Sequence, residues 1–249
     1  MFEGQIEIGG RNLPRTLLGT SPFIAAGQFG HRARLYQLDL YNQPENIFKV
    51  IKKSYDLGVR GIQLIPYPPV LDAYGLAQDE GIELSIIGTV RPGEETKDIK
   101  LLSQLDADAM LLHGAIADGC KWDVISGHLE AIKNEGSIPG LATHQPFRTT
   151  AKLLESPVLD SFDIYMIPVN KVGYLMDTEF FLEKQRNEFS ELINKVKKKV
   201  IVKKTLAAGI LTPENAFEFL KTVDYADMIT VGIAYENEAE ETFTVLGEK

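Results

Sequence analysis

A (β/α)8 barrel is the fold this sequence predicts, on three observations. Apolar, β-rich runs alternate with helix-periodic runs from residue 16 onward, there are eight of each, and 249 residues is the length such a barrel needs. The strand candidates are TLLGT, VRGIQLI, LSIIGTV, ADAMLLH, IPGLAT, FDIYMIP, KVIVKK and ADMITVG, each bounded by Gly, Pro, Asn or Asp. Helical punctuation places the intervening helices at 44–57, 69–80, 94–105, 122–135, 147–154, 178–196, 213–222 and 237–246. Pro, Glu or Asp in their first turns and Gly near several ends are what helix termini favour.

Ahead of the first unit, residues 1–15 alternate apolar and polar side chains around Gly9-Gly10, the pattern of a β-hairpin with a two-residue turn. Such a hairpin would close the bottom of the barrel. No linker interrupts the rhythm, so residues 1–249 read as one domain. The segment 21–43 is longer than a βα connection requires and reads as a functional loop. Arg32, Arg34, Tyr36 and Tyr41 are placed to cover a ligand; Phe23, Phe29 and Leu35 would equally pack on a second copy of the chain in a homo-oligomer.

A net charge of −9 excludes a general nucleic-acid binder, which needs clustered Lys and Arg for phosphates. The basic run Lys195 with Lys197, Lys198 and Lys199 sits where a helix should end and suits the negative end of its dipole. A single cysteine, Cys120, fits a reducing, cytoplasmic setting, and no run is long and apolar enough to span a membrane.

Barrels of this kind do their chemistry at the carboxyl ends of the strands. That rim carries Thr20 and Ser21, Gln63 with Tyr67, Thr89 with Arg91, His113, Thr143 with His144, Asn170, Lys204 with Thr205, and Gly232. His113 ends an apolar run and is a candidate acid/base. His144, one strand on, would make a two-histidine metal site, but no third His or Cys and no HExxH pattern accompanies them, which argues against a metal. In KVIVKK, Val200, Val202 and Lys204 share one side by strand alternation, and Ile201 and Lys203 the other. With the valine side taken as the interior, Lys204 enters the mouth as nucleophile, base or anchor, and Lys203 joins the helix layer. Gly209 and Gly232 would let backbone N–H groups approach an oxyanion, such as a phosphate or carboxylate of the substrate.

The stretches LLGTSPF, GVRGIQL, LLH, PGLATH, IVKKTLAAGILTPENAFEFL and VGIAYENEAEETF together resemble the aldo-keto reductases. The last two are similar to that family's nicotinamide-phosphate-binding end, which implies Gly209, Gly232 and Asn237 as cofactor contacts and NAD or NADP as the cofactor. The resemblance also implies an Asp–Tyr–Lys–His tetrad, and here the sequence departs from it. Gln63 stands nearest the aspartate, Tyr67 near the tyrosine and Thr89-Val90-Arg91 in place of the lysine, so only His113 matches. Glu236, Glu238, Glu240 and Glu241 stand where basic residues would favour a 2′-phosphate. The sequence therefore leaves three readings of a barrel holding a small polar molecule. They are a divergent reductase, a cofactor-free lyase, aldolase or isomerase using Lys204, and a non-catalytic binding barrel. His113, Lys204 and Tyr67 are the expected catalytic groups, with Gln63, Arg91, His144 and Asn170 orienting the substrate.

Overall fold

The computed structural model describes residues 2–247. Among these described residues, ten strands and ten helices follow in chain order. The first two strands, β1 (Gln5–Ile8) and β2 (Arg11–Pro14), form an antiparallel hairpin. Gly9 and Gly10 at its turn have φ of 56° and 78°, the left-handed pair that a two-residue turn requires and that only glycine adopts without penalty.

The other eight strands close a parallel barrel in sequence order, with the last paired to the first. They are β3 (Thr16–Gly19), β4 (Gly61–Leu64), β5 (Ser85–Val90), β6 (Ala109–Leu112), β7 (Ile138–Ala142), β8 (Ile164–Pro168), β9 (Lys199–Lys203) and β10 (Met228–Gly232). Every expected strand is present. The major helices are α2 (Pro44–Asp56), α3 (Pro68–Asp79), α4 (Glu95–Gln104), α6 (Trp122–Asn134), α7 (Pro146–Leu153), α8 (Glu183–Val196), α9 (Pro213–Leu220) and α10 (Glu236–Gly247). Four of them start with Pro at the first or second position, where the missing N–H costs nothing.

Two short helices were not expected: α1 (Arg32–Asp39) and α5 (Gly114–Ala117). The segment 21–43 is thus not one open loop but two 3-10 turns, Ser21–Ile24 and Gly27–Phe29, followed by α1. In α1 only Tyr36 is buried while Leu35 and Leu38 stay exposed, so it has no apolar stripe for periodicity to reveal.

Two apolar clusters divide the molecule. The larger lies between strands and helices and includes Val200, Val202, Ile229 and Val231. The smaller fills the barrel, with Leu17, Ile87, Leu111, Ile164, Met166, Ile201 and Met228. Ile8 and Leu13 of the hairpin join that inner cluster, so the hairpin stoppers the amino-terminal end of the barrel. Arg11 fastens it from outside by donating to Asp108 at 3.0 Å and to the Gly136 carbonyl at 2.8 Å. No helix among the described residues is long and apolar enough to cross a membrane.

Candidate active site

Strand alternation carries the inner cluster upward into the mouth. Above Leu17, Ile87, Leu111, Ile201 and Met228, the next inward positions on their strands are Gly19, Thr89, His113, Lys203 and Thr230. All five line a cavity of about 360 Å³ at the carboxyl end of the barrel, together with Gln63 and His144. Its outer wall comes from Phe29, Arg32 and Tyr36 of the 21–43 segment and from Tyr174, whose hydroxyl donates to the Gln28 carbonyl at 2.9 Å.

The expected orientation of the lysines is corrected here. Ile201 belongs to the barrel interior and Val200 and Val202 to the helix layer, so Lys203 is the inward lysine. Lys204 reaches the same cavity by a different route. Its φ of 58° is left-handed, which breaks the alternation and turns the residue back toward the mouth. Half-buried Lys203 has its ammonium brought down to about 7, first by removal from water and then by the charge of Lys204. Burial also lowers Lys204, to about 8, and Asp118 pulls both the other way.

The histidines stand opposite this pair, ring centroids 5.0 Å apart and edge to face. His113 caps α5, its Nδ1 accepting the Ala115 N–H at 3.1 Å, so the neutral ring carries its proton on Nε2. Burial, then Lys203, holds His113 at about 4; burial and both lysines hold His144 at about 2. Both are therefore neutral at neutral pH. His144 packs over Gly114, where a Cβ would lie 2.5 Å from its Cδ2, and its Nδ1 is buried without a partner. Asp118 fixes the segment beneath it, accepting from the His144 N–H at 3.0 Å, from the Thr149 hydroxyl at 2.7 Å and from the Thr143 hydroxyl.

Gln63 donates from Nε2 to Thr89 Oγ1 at 2.6 Å, so two neutral side chains hold the inner wall between them. Four expected site residues lie elsewhere. Arg91 is not on the cavity wall, because its guanidinium is spent on buried Asp98, with Nε to Oδ2 at 2.8 Å and Nη2 to Oδ1 at 2.7 Å. Tyr67 caps α3 under that guanidinium, 4.7 Å from it to the ring centroid, and is likewise off the wall. Asn170 is fully buried, exchanging hydrogen bonds of 2.9 and 2.8 Å with the backbone of Tyr174; it shapes the loop that brings Tyr174 to the cavity. Asn237 is exposed on the first turn of α10. Gly209 and Gly232 do line the cavity.

Sequence reasoning missed Lys203, Thr230 and Asp118. Period-two counting downward from Gly232 would have found Thr230. Asp118, in the stretch AIADG, carries no sequence signal. Among the described residues, no group of three or more His, Cys, Asp or Glu side chains gathers to hold a metal.

No protein-family model and no curated protein matches the chain. Solved structures do. One, described as "Putative aldo-keto reductase from Pseudomona aeruginosa", superposes with a TM-score of 0.63 at 18% identity, over 97% of this chain and 95% of its own. A second structure, also described as a "putative aldo-keto reductase from Pseudomona aeruginosa", gives 0.65 at 18% identity, over 97% of this chain and 93% of its own. The chain shares the eight-stranded barrel fold of these two structures. At this identity the likeness is one of fold, and the sequence resemblance is remote in the same sense.

The residues present do not fit the phosphates of a nicotinamide dinucleotide at α10. Glu236 and Glu238 lie in the first turn of α10, and Glu238 Oε2 accepts the Ala234 N–H at 2.9 Å, so carboxylates of the chain itself stand at that helix start and oppose a phosphate there. Glu241 stands on the same wall.

Proposed function

We propose that this barrel acts on a small carbonyl compound through an imine formed on Lys203. The observation that supports it is an inward lysine whose ammonium is lowered to about 7 by burial and by a second lysine, in a cavity with two neutral histidines. A lysine in this state supplies free amine at neutral pH, as a nucleophile must. Its Nζ adds to the carbonyl carbon, the carbinolamine loses water, and the iminium left behind draws electrons from the neighbouring carbon. That is the chemistry of a lyase, aldolase or isomerase. His113 presents Nε2–H as a hydrogen-bond donor to the substrate oxygen, and Lys204 keeps the Lys203 amine free by its charge.

Borohydride reduction in the presence of carbonyl compounds, followed by peptide mass mapping, tests the reading. A stable adduct on Lys203 supports it; full recovery of unmodified Lys203 with every compound tried rejects it.

A nicotinamide-dependent oxidoreductase is the second reading, favoured by the fold likeness and by Gly209 and Gly232 on the cavity wall. Gln63 and Thr89 in place of the charged tetrad groups, Tyr67 beneath Arg91 and Glu238 at the α10 start speak against it. Titration with NADPH and NADH separates the two, with no binding at millimolar cofactor as the expected result.

A further inference from the structure

Buried hydroxyls in folded proteins almost always find a partner, since leaving one unpaired forfeits its hydration for nothing. Thr20, Thr89, Thr143, Thr149 and Thr150 all obey this here. Thr205 and Thr230, at 2% and 5% exposure, do not: each hydroxyl oxygen is buried and unpartnered, and both residues line the cavity. Glycines, not larger side chains, stand beside the buried Thr230 hydroxyl. Gly232 is the next inward position on its own strand and pairs with Gly19 across the ladder, and a Cβ on Gly19 would lie 3.0 Å from Thr230 Oγ1. The cavity lining thus includes two hydroxyls without a protein partner, together with Lys203 and Lys204.

We propose that the substrate is a small 2-oxo carboxylate, with its carboxylate seated on the hydroxyls of Thr205 and Thr230 and the Lys204 ammonium, and its oxo carbon turned to Lys203. The proposal rests on the imine reading above and names its substrate class. A carboxylate is the group that satisfies these donors, because it accepts through two oxygens with up to four lone pairs. Charge selects it over a phosphate ester. Arg32, Lys203 and Lys204 on the cavity wall are offset by Glu238 and Glu241 there and by Asp118, which acts on both lysines, so little positive charge is left over and a monoanion fits it better than a dianion. The carboxylate also activates the adjacent oxo carbon toward amine addition and leaves the neighbouring carbon open to the chemistry that an iminium promotes.

The test compares four probes on the full chain: pyruvate, acetone, propanoate and dihydroxyacetone phosphate. Borohydride trapping at Lys203 is read by mass, and affinity by calorimetry. Pyruvate should trap best, and propanoate should bind without trapping. Thr205→Val and Thr230→Val should each weaken pyruvate and propanoate by about tenfold, the cost of one charge-assisted hydrogen bond. Removing an unpaired buried hydroxyl does not threaten folding, and Thr230→Ser should restore affinity. Acetone trapping as well as pyruvate, with both Val variants unaltered, overturns the carboxylate seat and leaves the imine reading standing. Tighter binding of dihydroxyacetone phosphate than of pyruvate also overturns it. Propanoate binding that depends on the two hydroxyls, with no trapping by any carbonyl compound, overturns the imine reading and leaves the seat.

Discussion

Lys203 and Lys204 are consecutive residues on one cavity wall, although a strand sends consecutive side chains to opposite faces. The left-handed backbone at Lys204 makes this arrangement, and for a non-glycine residue it costs of order 1 kcal/mol or more. The result is two ammonium groups competing for one small volume, with Lys203 giving up its proton more readily. Lys204→Met should therefore raise the Lys203 pKa from about 7 toward the ordinary lysine range, moving the midpoint of pH-dependent imine trapping upward. Lys203→Met should abolish trapping. The rate of borohydride labelling across pH 6–10 reads both.

The same group sets a slope in stability. Lys203 takes a proton at about 7 folded and near the ordinary lysine value of 10.5 unfolded, so between those values the unfolded chain holds more protons. The penalty is complete below pH 7 and relieved as pH rises toward 10.5. Urea midpoints should rise over this interval, apart from other titrations, and Lys203→Met should flatten the rise and gain stability at pH 7 on the order of a few kcal/mol.

The histidines act at the acid end. Their folded values of about 4 and 2 lie below the unfolded 6.5, so acid protonates the unfolded chain first. Stability should fall as pH drops below 6.5, with the His113 share fully lost near 4. His113→Gln should reduce that loss between pH 6.5 and 4, measured by thermal melts at fixed ionic strength.

Arg91 is a stabilising residue in this structure. Asp98 is fully buried and takes three hydrogen bonds from Arg91, one of them from its backbone. Arg91→Ala strands that carboxylate and should cost about 3–5 kcal/mol by denaturant titration. Ligand affinity at the mouth should be unchanged at temperatures where the variant is folded.

Gly114→Ala places a methyl group against the His144 ring without backbone strain, since its φ is not left-handed. It should destabilise by about 1–3 kcal/mol and shift the His144 ring resonances. Adding His144→Ala removes the clash, and the double variant should recover more stability than the two single effects added together would allow.

The strands and major helices were legible because each repeats a local pattern: apolar runs between Gly and Pro breaks, with proline at helix starts. The facing of β9 was not. Val200, Ile201 and Val202 are apolar on both sides, as in any strand buried between an inner core and a helix layer, and alternation defines two sets without naming the inner one. Only closure of the barrel decides it. The site was half legible. His113, His144, Gln63, Gly209 and Gly232 follow from strand ends, whereas Arg91 and Asn170 have the right residue type and position but are consumed by partners seven and four residues away. Thr230 hides inside an ordinary β-forming run.

The hairpin has a kinetic meaning as well. With Ile8 and Leu13 plugging the amino-terminal end, the barrel is a vessel with one door, bounded by the segment that carries Gln28 and by Tyr174. Under the imine chemistry proposed above, substrate, product and the water expelled would all cross the same threshold, and each cycle would include a wait for the doorway to clear.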